Sequence, residues 1–168
     1  DMLEWMMGDV ESVFAKMTTA LANVETEDTA IVTLKFKNGA LGIIEATTAT
    51  RPANLEGSIS ILGENGTVVV GGVAVNEMQT WAFEDVKDGD STVLEEFSVN
   101  PPNVYGFGHQ AYYEHAVDCI ENGSANLVDG LQGRKSIELI SAIYESAETG
   151  KEVFLKFQPK HCRLGQKS

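Results

Sequence analysis

Two alternating runs meet at Asn38-Gly39, and that junction constrains the chain more than any other feature. Ala30, Val32, Leu34 and Phe36 alternate with Ile31, Thr33, Lys35 and Lys37, and Leu41 to Thr50 resumes on the far side. A period of two belongs to a strand with one face turned to a core. Asn-Gly accepts positive φ at both central positions of a two-residue hairpin turn. Residues 30–50 are therefore predicted to form a β-hairpin closed by a two-residue turn.

The rest of the chain is read against that hairpin. Residues 1–7 have helix-like apolar spacing and stop at Gly8. From about residue 11, Val13, Ala15 and Met17 alternate with Phe14, Lys16 and Thr18, which gives a strand before the hairpin. Pro52 breaks the return strand. Four further strands are predicted, at 58–62, 67–70, 73–83 and 92–98, with turns at 63–66 and 87–91. Asn100-Pro101-Pro102-Asn103 ends the sheet region. A helix is predicted over 109–122, with Ala116, Val117 and Ile120 inward and Asn122-Gly123 closing it. A second is predicted over 131–149, capped by Asp129 and ended by Gly150, with Ile137, Ile140, Ile143, Tyr144 and Ala147 as its apolar stripe. Val153, Leu155 and Phe157 suggest a last strand, and 158–168 a frayed polar tail.

Strands followed by helices make the α+β pattern. The expectation is one domain over 1–157: an open, mostly antiparallel sheet of about seven strands with two main helices on one face. Either set of alternating positions in 41–49 is mostly small or apolar. The second sheet face is therefore expected to be covered by a second copy of the chain, through Leu41, Ile43 and Ala49 or their neighbours.

Composition limits the partners. With 12 Lys+Arg against 25 Asp+Glu in 168 residues, the net charge is −13. Nucleic acid is excluded as a ligand, because binding it needs clustered cations to displace counterions. No apolar run reaches the roughly 18 residues of a membrane span, and Asp1-Met2-Leu3-Glu4 does not open a signal peptide. Cys119 and Cys162 are too few for a disulfide framework, so a reducing, cytoplasmic setting is expected, with Cys119 in the core. The chain starts inside a helical pattern and is read as part of a longer protein.

Chemistry-bearing residues are sparse. Gly106-Phe107-Gly108-His109-Gln110-Ala111 spells G-x-G-x-x-A before a helix, with Asp129 about twenty residues on. A dinucleotide fingerprint also needs a buried strand directly upstream, and Asn100-Pro101-Pro102-Asn103-Val104-Tyr105 is not one, so no cofactor site is assigned there. Tyr105, Gly106, Gly108 and His109 have another use. A Gly-rich turn lets a ligand approach, and a helix start presents N–H groups to an anion. His109 either contacts such a ligand or caps its own helix. Arg51, Asn54 and Glu56 form a second candidate group, since an arginine pairs carboxylate or phosphate in bidentate fashion; a solvated strand end is the other reading. His115 lies on a different helix face from His109, so the two make no metal pair. The acidic residues at 25–28 and 84–96, and the Glu114, Asp118, Glu121 stripe, read as solvated surface. No catalytic constellation stands out.

Several segments carry a family resemblance in order: Asp1–Gly8, Phe36–Glu45, Ile61–Thr67 and Asp129 through Ala142–Ala147. Together they resemble the C-terminal domain of the Gfo/Idh/MocA oxidoreductases. Pro101 to His109 is similar to one branch, the dehydrogenases that oxidise the 3-position of UDP-N-acetylglucosaminuronic acid in bacterial surface-polysaccharide synthesis. The resemblance implies an upstream Rossmann domain for NAD or NADP, which this chain lacks. It also implies upstream positions for the Gly-rich cofactor loop, the Glu-Lys-Pro catalytic lysine and the Asp-x-x-x-His pair. Asp1 then follows that histidine by three residues and is structural. The implied role of the chain is substrate contact and subunit contact, with no catalytic, cofactor or metal residue of its own. A non-catalytic oligomerisation or ligand-binding module on the same fold is the alternative.

Overall fold

The structure, a computed structural model, describes residues 1–73, 75–99, 101 and 105–156. Asn100, Pro102, Asn103, Phe157, Cys162 and the 158–168 tail of the sequence reading lie outside them. The elements run α1 (Met2–Met7), β1 (Val10–Thr18), β2 (Thr29–Phe36), β3 (Leu41–Thr47), β4 (Ile59–Leu62), β5 (Gly66–Gly71), β6 (Glu77–Phe83), α2 (Val93–Glu96), α3 (Gly108–Asn122), α4 (Gly130–Thr149) and β7 (Val153–Phe154). They fall into two compact units, one of residues 1–52 with the segment from Leu127 on, the other of residues 53–126.

The α+β class and the antiparallel pairing agree with the sequence reading, and the described residues hold seven strands, the suggested last strand at 153–154 among them. The single sheet of the sequence reading does not form. The strands form a four-stranded sheet in the order β3-β2-β1-β7 and a separate three-stranded sheet in the order β4-β5-β6. The break falls where Pro52, which has no N–H for a ladder, interrupts the chain after β3. The predicted strand at 92–98 is also absent. Val93–Glu96 is one helical turn, held by Glu96 N–H to Thr92 O at 2.9 Å and Phe97 N–H to Val93 O at 3.1 Å. Beside β6 the Ser98 hydroxyl meets the Met78 backbone, receiving its N–H at 3.0 Å and donating to its carbonyl at 3.3 Å. One side chain thus answers backbone groups that another strand would have answered.

The first unit buries the hairpin's inward face as its alternation requires. Val13 pairs with Leu34 and Ala15 with Val32. Val10, Val13, Ala15, Val32, Leu34 and Phe36 form the core with Leu139, Ala142 and Ile143 of α4. The hairpin turn differs from expectation. Phe36 N–H donates to Ala40 O and Gly39 N–H to Phe36 O, both at 2.9 Å, so the loop is Lys37-Asn38-Gly39. Gly39 takes φ +91°, and Asn38 does not take positive φ. This is the three-residue loop with glycine in the left-handed position. Asn38 instead uses its amide, accepting from Ala40 N–H and donating to Met7 O, each at 3.0 Å.

α4 starts as predicted: Asp129 Oδ1 accepts from Leu131 and Gln132 N–H at 3.0 and 2.9 Å. Its buried face is Leu139, Ala142, Ile143 and Ser146, whereas Ile137 and Ile140 of the expected stripe are exposed. Asp1 Oδ1, just before α1, receives Ser136 Oγ–H at 3.2 Å.

Candidate functional site

The turn before α3 is the most built of the predicted site segments. Tyr105 lies in a turn, Gly106 follows it, Phe107 is the residue before the helix, and Gly108 begins it. Gly106 takes φ +67°, a left-handed conformation that glycine adopts without a Cβ clash. Gly108 has no such backbone demand. A Cβ on either glycine would meet nothing within 4 Å, so there is open space beside both. The Phe107 side chain, at the cap position, has no hydrogen-bond acceptor for the first turn of α3. At the same position of α4, Asp129 supplies a carboxylate. The exposed rings of Tyr105 and His109 meet edge to face, with centroids 6.1 Å apart at 80°.

Asn54 and Glu56 are exposed in the same unit as this turn. Arg51 belongs to the other unit, where its guanidinium donates to Thr50 O at 2.8 Å. Tyr105, Gly106, Gly108 and His109 share one turn within the second unit.

Two further expectations change. α3 buries none of its residues, and Val117 and Ile120, expected inward, are exposed. Cys119 is half-buried on α3 rather than in the core, with Sγ 3.5 Å from His115 Nε2. Most acidic side chains are solvated, but Asp28 and Asp90 are built in. Asp28 is buried, and its Oδ2 accepts from the N–H groups of Ala20, Leu21 and Ala22 at 2.9, 2.7 and 2.9 Å. Those donors hold its carboxyl down to about 2. Asp90 receives Lys87 N–H at 2.7 Å and Trp81 Nε1–H at 2.9 Å, which also lowers it. Glu4 on α1 was not singled out by sequence. Burial pushes its carboxyl up, and one oxygen is buried without a hydrogen-bond partner.

The G-x-G-x-x-A run opens α3 directly from a turn, and every strand pair among the described residues is antiparallel. Among the described residues no strand runs directly into this turn, as a dinucleotide pyrophosphate cradle requires. Among the described residues no three His, Cys, Asp or Glu side chains converge as metal ligands. No helix among them is long and apolar enough to cross a membrane.

Residues 1–155 match the model of the oxidoreductase family C-terminal alpha/beta domain, and the chain belongs to this family, Gfo/Idh/MocA. Its fold superimposes on the WlbA dehydrogenase from Bordetella pertussis, crystallised with NADH and UDP-GlcNAcA, with a TM-score of 0.86 and 42% identity. The match covers 94% of this chain and 45% of that one. The WlbA dehydrogenase from Chromobacterium violaceum, crystallised with the same two ligands, matches with a TM-score of 0.84 and 43% identity over 94% of this chain and 44% of its own. D-apiose dehydrogenase from Rhizobium rhizogenes is 25% identical over 91% of this chain and 45% of that protein. The chain thus spans less than half the length of these relatives.

Proposed function

We propose that this chain is the substrate-side domain of an NAD(P)-dependent dehydrogenase acting on a UDP-activated amino-uronic acid, in the cytoplasmic synthesis of a bacterial surface polysaccharide. The observation that carries the reading is the 42–43% identity, over 94% of the chain, to two dehydrogenases crystallised with NADH and UDP-GlcNAcA. Hydride transfer and proton transfer belong to the part of the relatives that this chain does not span. The chain's own task is to hold an anionic sugar nucleotide. In a molecule with net charge −13 that task needs locally concentrated donors.

The turn at Tyr105–His109 supplies them. Gly106 and Gly108 leave space for a ligand, the start of α3 offers N–H groups, and His109 hydrogen-bonds a sugar hydroxyl, carboxylate or phosphate. Asn54 and Glu56 are proposed as companions, and Arg51→Ala tests the arginine separately. Subunit association is proposed through the exposed face of the four-stranded sheet, where Leu41 and Ile43 are 79% and 71% exposed.

The test is the full-length gene product mixed with NAD+ and UDP-GlcNAcA, following cofactor reduction. Turnover is expected, and His109→Ala should raise KM for the sugar nucleotide about tenfold with little change in kcat, the size of one hydrogen bond to a charged group. A full-length protein without a Gly-rich βαβ unit upstream would establish the non-catalytic module instead. Unchanged KM with lowered thermal stability would remove His109 from the site.

A further inference from the structure

Tyr105 and His109 are the only pair of rings in edge-to-face contact among the described residues of the candidate turn. We infer that Tyr105 is a positioning residue: it acts on the sugar nucleotide through His109, by holding the imidazole in one orientation over the open side of the turn. The inference rests on the substrate site proposed above and assigns a division of labour within it.

The geometry follows from local chain chemistry. His109 is the second residue of α3, so its side chain would otherwise swing in solvent at an exposed helix end. Gly106 takes φ +67° between the two residues, and the Tyr105 ring lies edge to face with the His109 ring on the first helical turn. Another residue at Gly106 would have to take a left-handed conformation at a cost. The centroid separation of 6.1 Å and the angle of 80° fall within the range preferred by aromatic pairs, where the positive edge of one ring meets the negative face of the other. The Tyr105 ring is 73% exposed, so it is not there to fill a core. A ring fixed on one side also lowers the conformational entropy that His109 loses when it hydrogen-bonds a ligand.

Two substitutions separate a positioning ring from a direct ligand contact. Tyr105→Phe keeps the ring and removes the hydroxyl, while Tyr105→Ala removes both. In the full-length enzyme, Tyr105→Ala is expected to raise KM for the sugar nucleotide about two- to tenfold with kcat unchanged. Tyr105→Phe should stay within about twofold of the parent. The double variant with His109→Ala should bind the sugar nucleotide no worse than His109→Ala alone, because the tyrosine acts on that ligand through the imidazole. Full additivity in that cycle, or an equal loss in Tyr105→Phe, would overturn the inference, since the tyrosine or its hydroxyl would then touch the ligand itself.

A ligand-free measurement keeps the contact testable on its own. The ring-proton resonances of His109 should move in Tyr105→Ala and stay in place in Tyr105→Phe. If they do not move in Tyr105→Ala, the positioning role is wrong. If they move but His109→Ala leaves KM unchanged, the contact stands and the proposed substrate site fails.

Discussion

The hydroxyl of Ser146 on α4 receives the N–H of Ala15 on β1 at 3.0 Å and donates to the Lys151 carbonyl at 2.6 Å. Both Ser146 and Ala15 are fully buried. β7 pairs with β1 only at Ser12 and Val13, so beyond that point a side chain from α4 takes over for a strand. Ser146→Ala should leave the buried Ala15 N–H without its partner and remove a bond to the Lys151 carbonyl, at a cost of about 1–3 kcal/mol. A thermal melt should show the midpoint falling by several degrees. An unchanged midpoint would mean that water or a shifted backbone replaces the hydroxyl.

Asp28 gives a pH dependence with a definite sign. Three amide donors in the β1–β2 loop hold its carboxyl at about 2 in the folded chain, below the ordinary 3.8. A depressed folded value means that the stabilisation is fully present above the unfolded value and is lost as pH falls from about 4 to about 2. Asp28→Asn should flatten that part of the stability–pH curve and lower the midpoint at pH 7 by several degrees. The loop 19–28 should then lose amide-exchange protection first. A variant with the parent's acid dependence would show that other carboxylates carry it.

The hairpin, the caps and the α4 boundaries were legible because each rests on local chemistry: alternation in 30–36, glycine at 39, 123 and 150, and the Asp129 side chain. The phase of α4 was not. Ile143 and Ala147 of the expected stripe do face the core, but Ile137, Ile140 and Tyr144 are exposed while Leu139 and Ala142 are buried, because the position of the sheet decides which of two overlapping apolar faces is covered. Leu139→Ala should therefore cost about 2–5 kcal/mol, while Ile137→Ala should fall within about 0.5 kcal/mol of the parent. Chemical denaturation of the two variants measures this. Equal losses would restore the stripe first read from sequence.

The partition into two sheets and the helical turn at 93–96 were not legible either, since strand partners are chosen by tertiary contact and not by alternation. For the site, the turn at 105–109 was readable from its glycines and aromatic residues. The Tyr105–His109 ring contact was not readable, because it depends on how the backbone turns at Gly106. Glu4 was invisible because burial, the cause of its raised carboxyl, leaves no mark in the sequence around it.

The open face of the four-stranded sheet supplies the last prediction. Antiparallel register aligns Phe14, Thr33 and Ile43 in one row and Lys16, Ile31 and Glu45 in the next. Phe14, Ile31, Leu41 and Ile43 are all exposed there, an apolar patch with few charges. A two-fold contact would bury each of these side chains twice per dimer and set Lys16 of one copy within reach of Glu45 on the other. Ile43→Lys should then lose the burial of two isoleucines, about 3 kcal/mol per dimer or about a hundredfold in Kd, and add like charge beside the two-fold axis. Light scattering of the full-length protein at tens of micromolar should show a dimer or larger species for the parent and a monomer-shifted equilibrium for Ile43→Lys, with KM for the sugar nucleotide retained. A parent that is strictly monomeric at that concentration would leave the sheet face to another occupant and remove the proposed subunit contact.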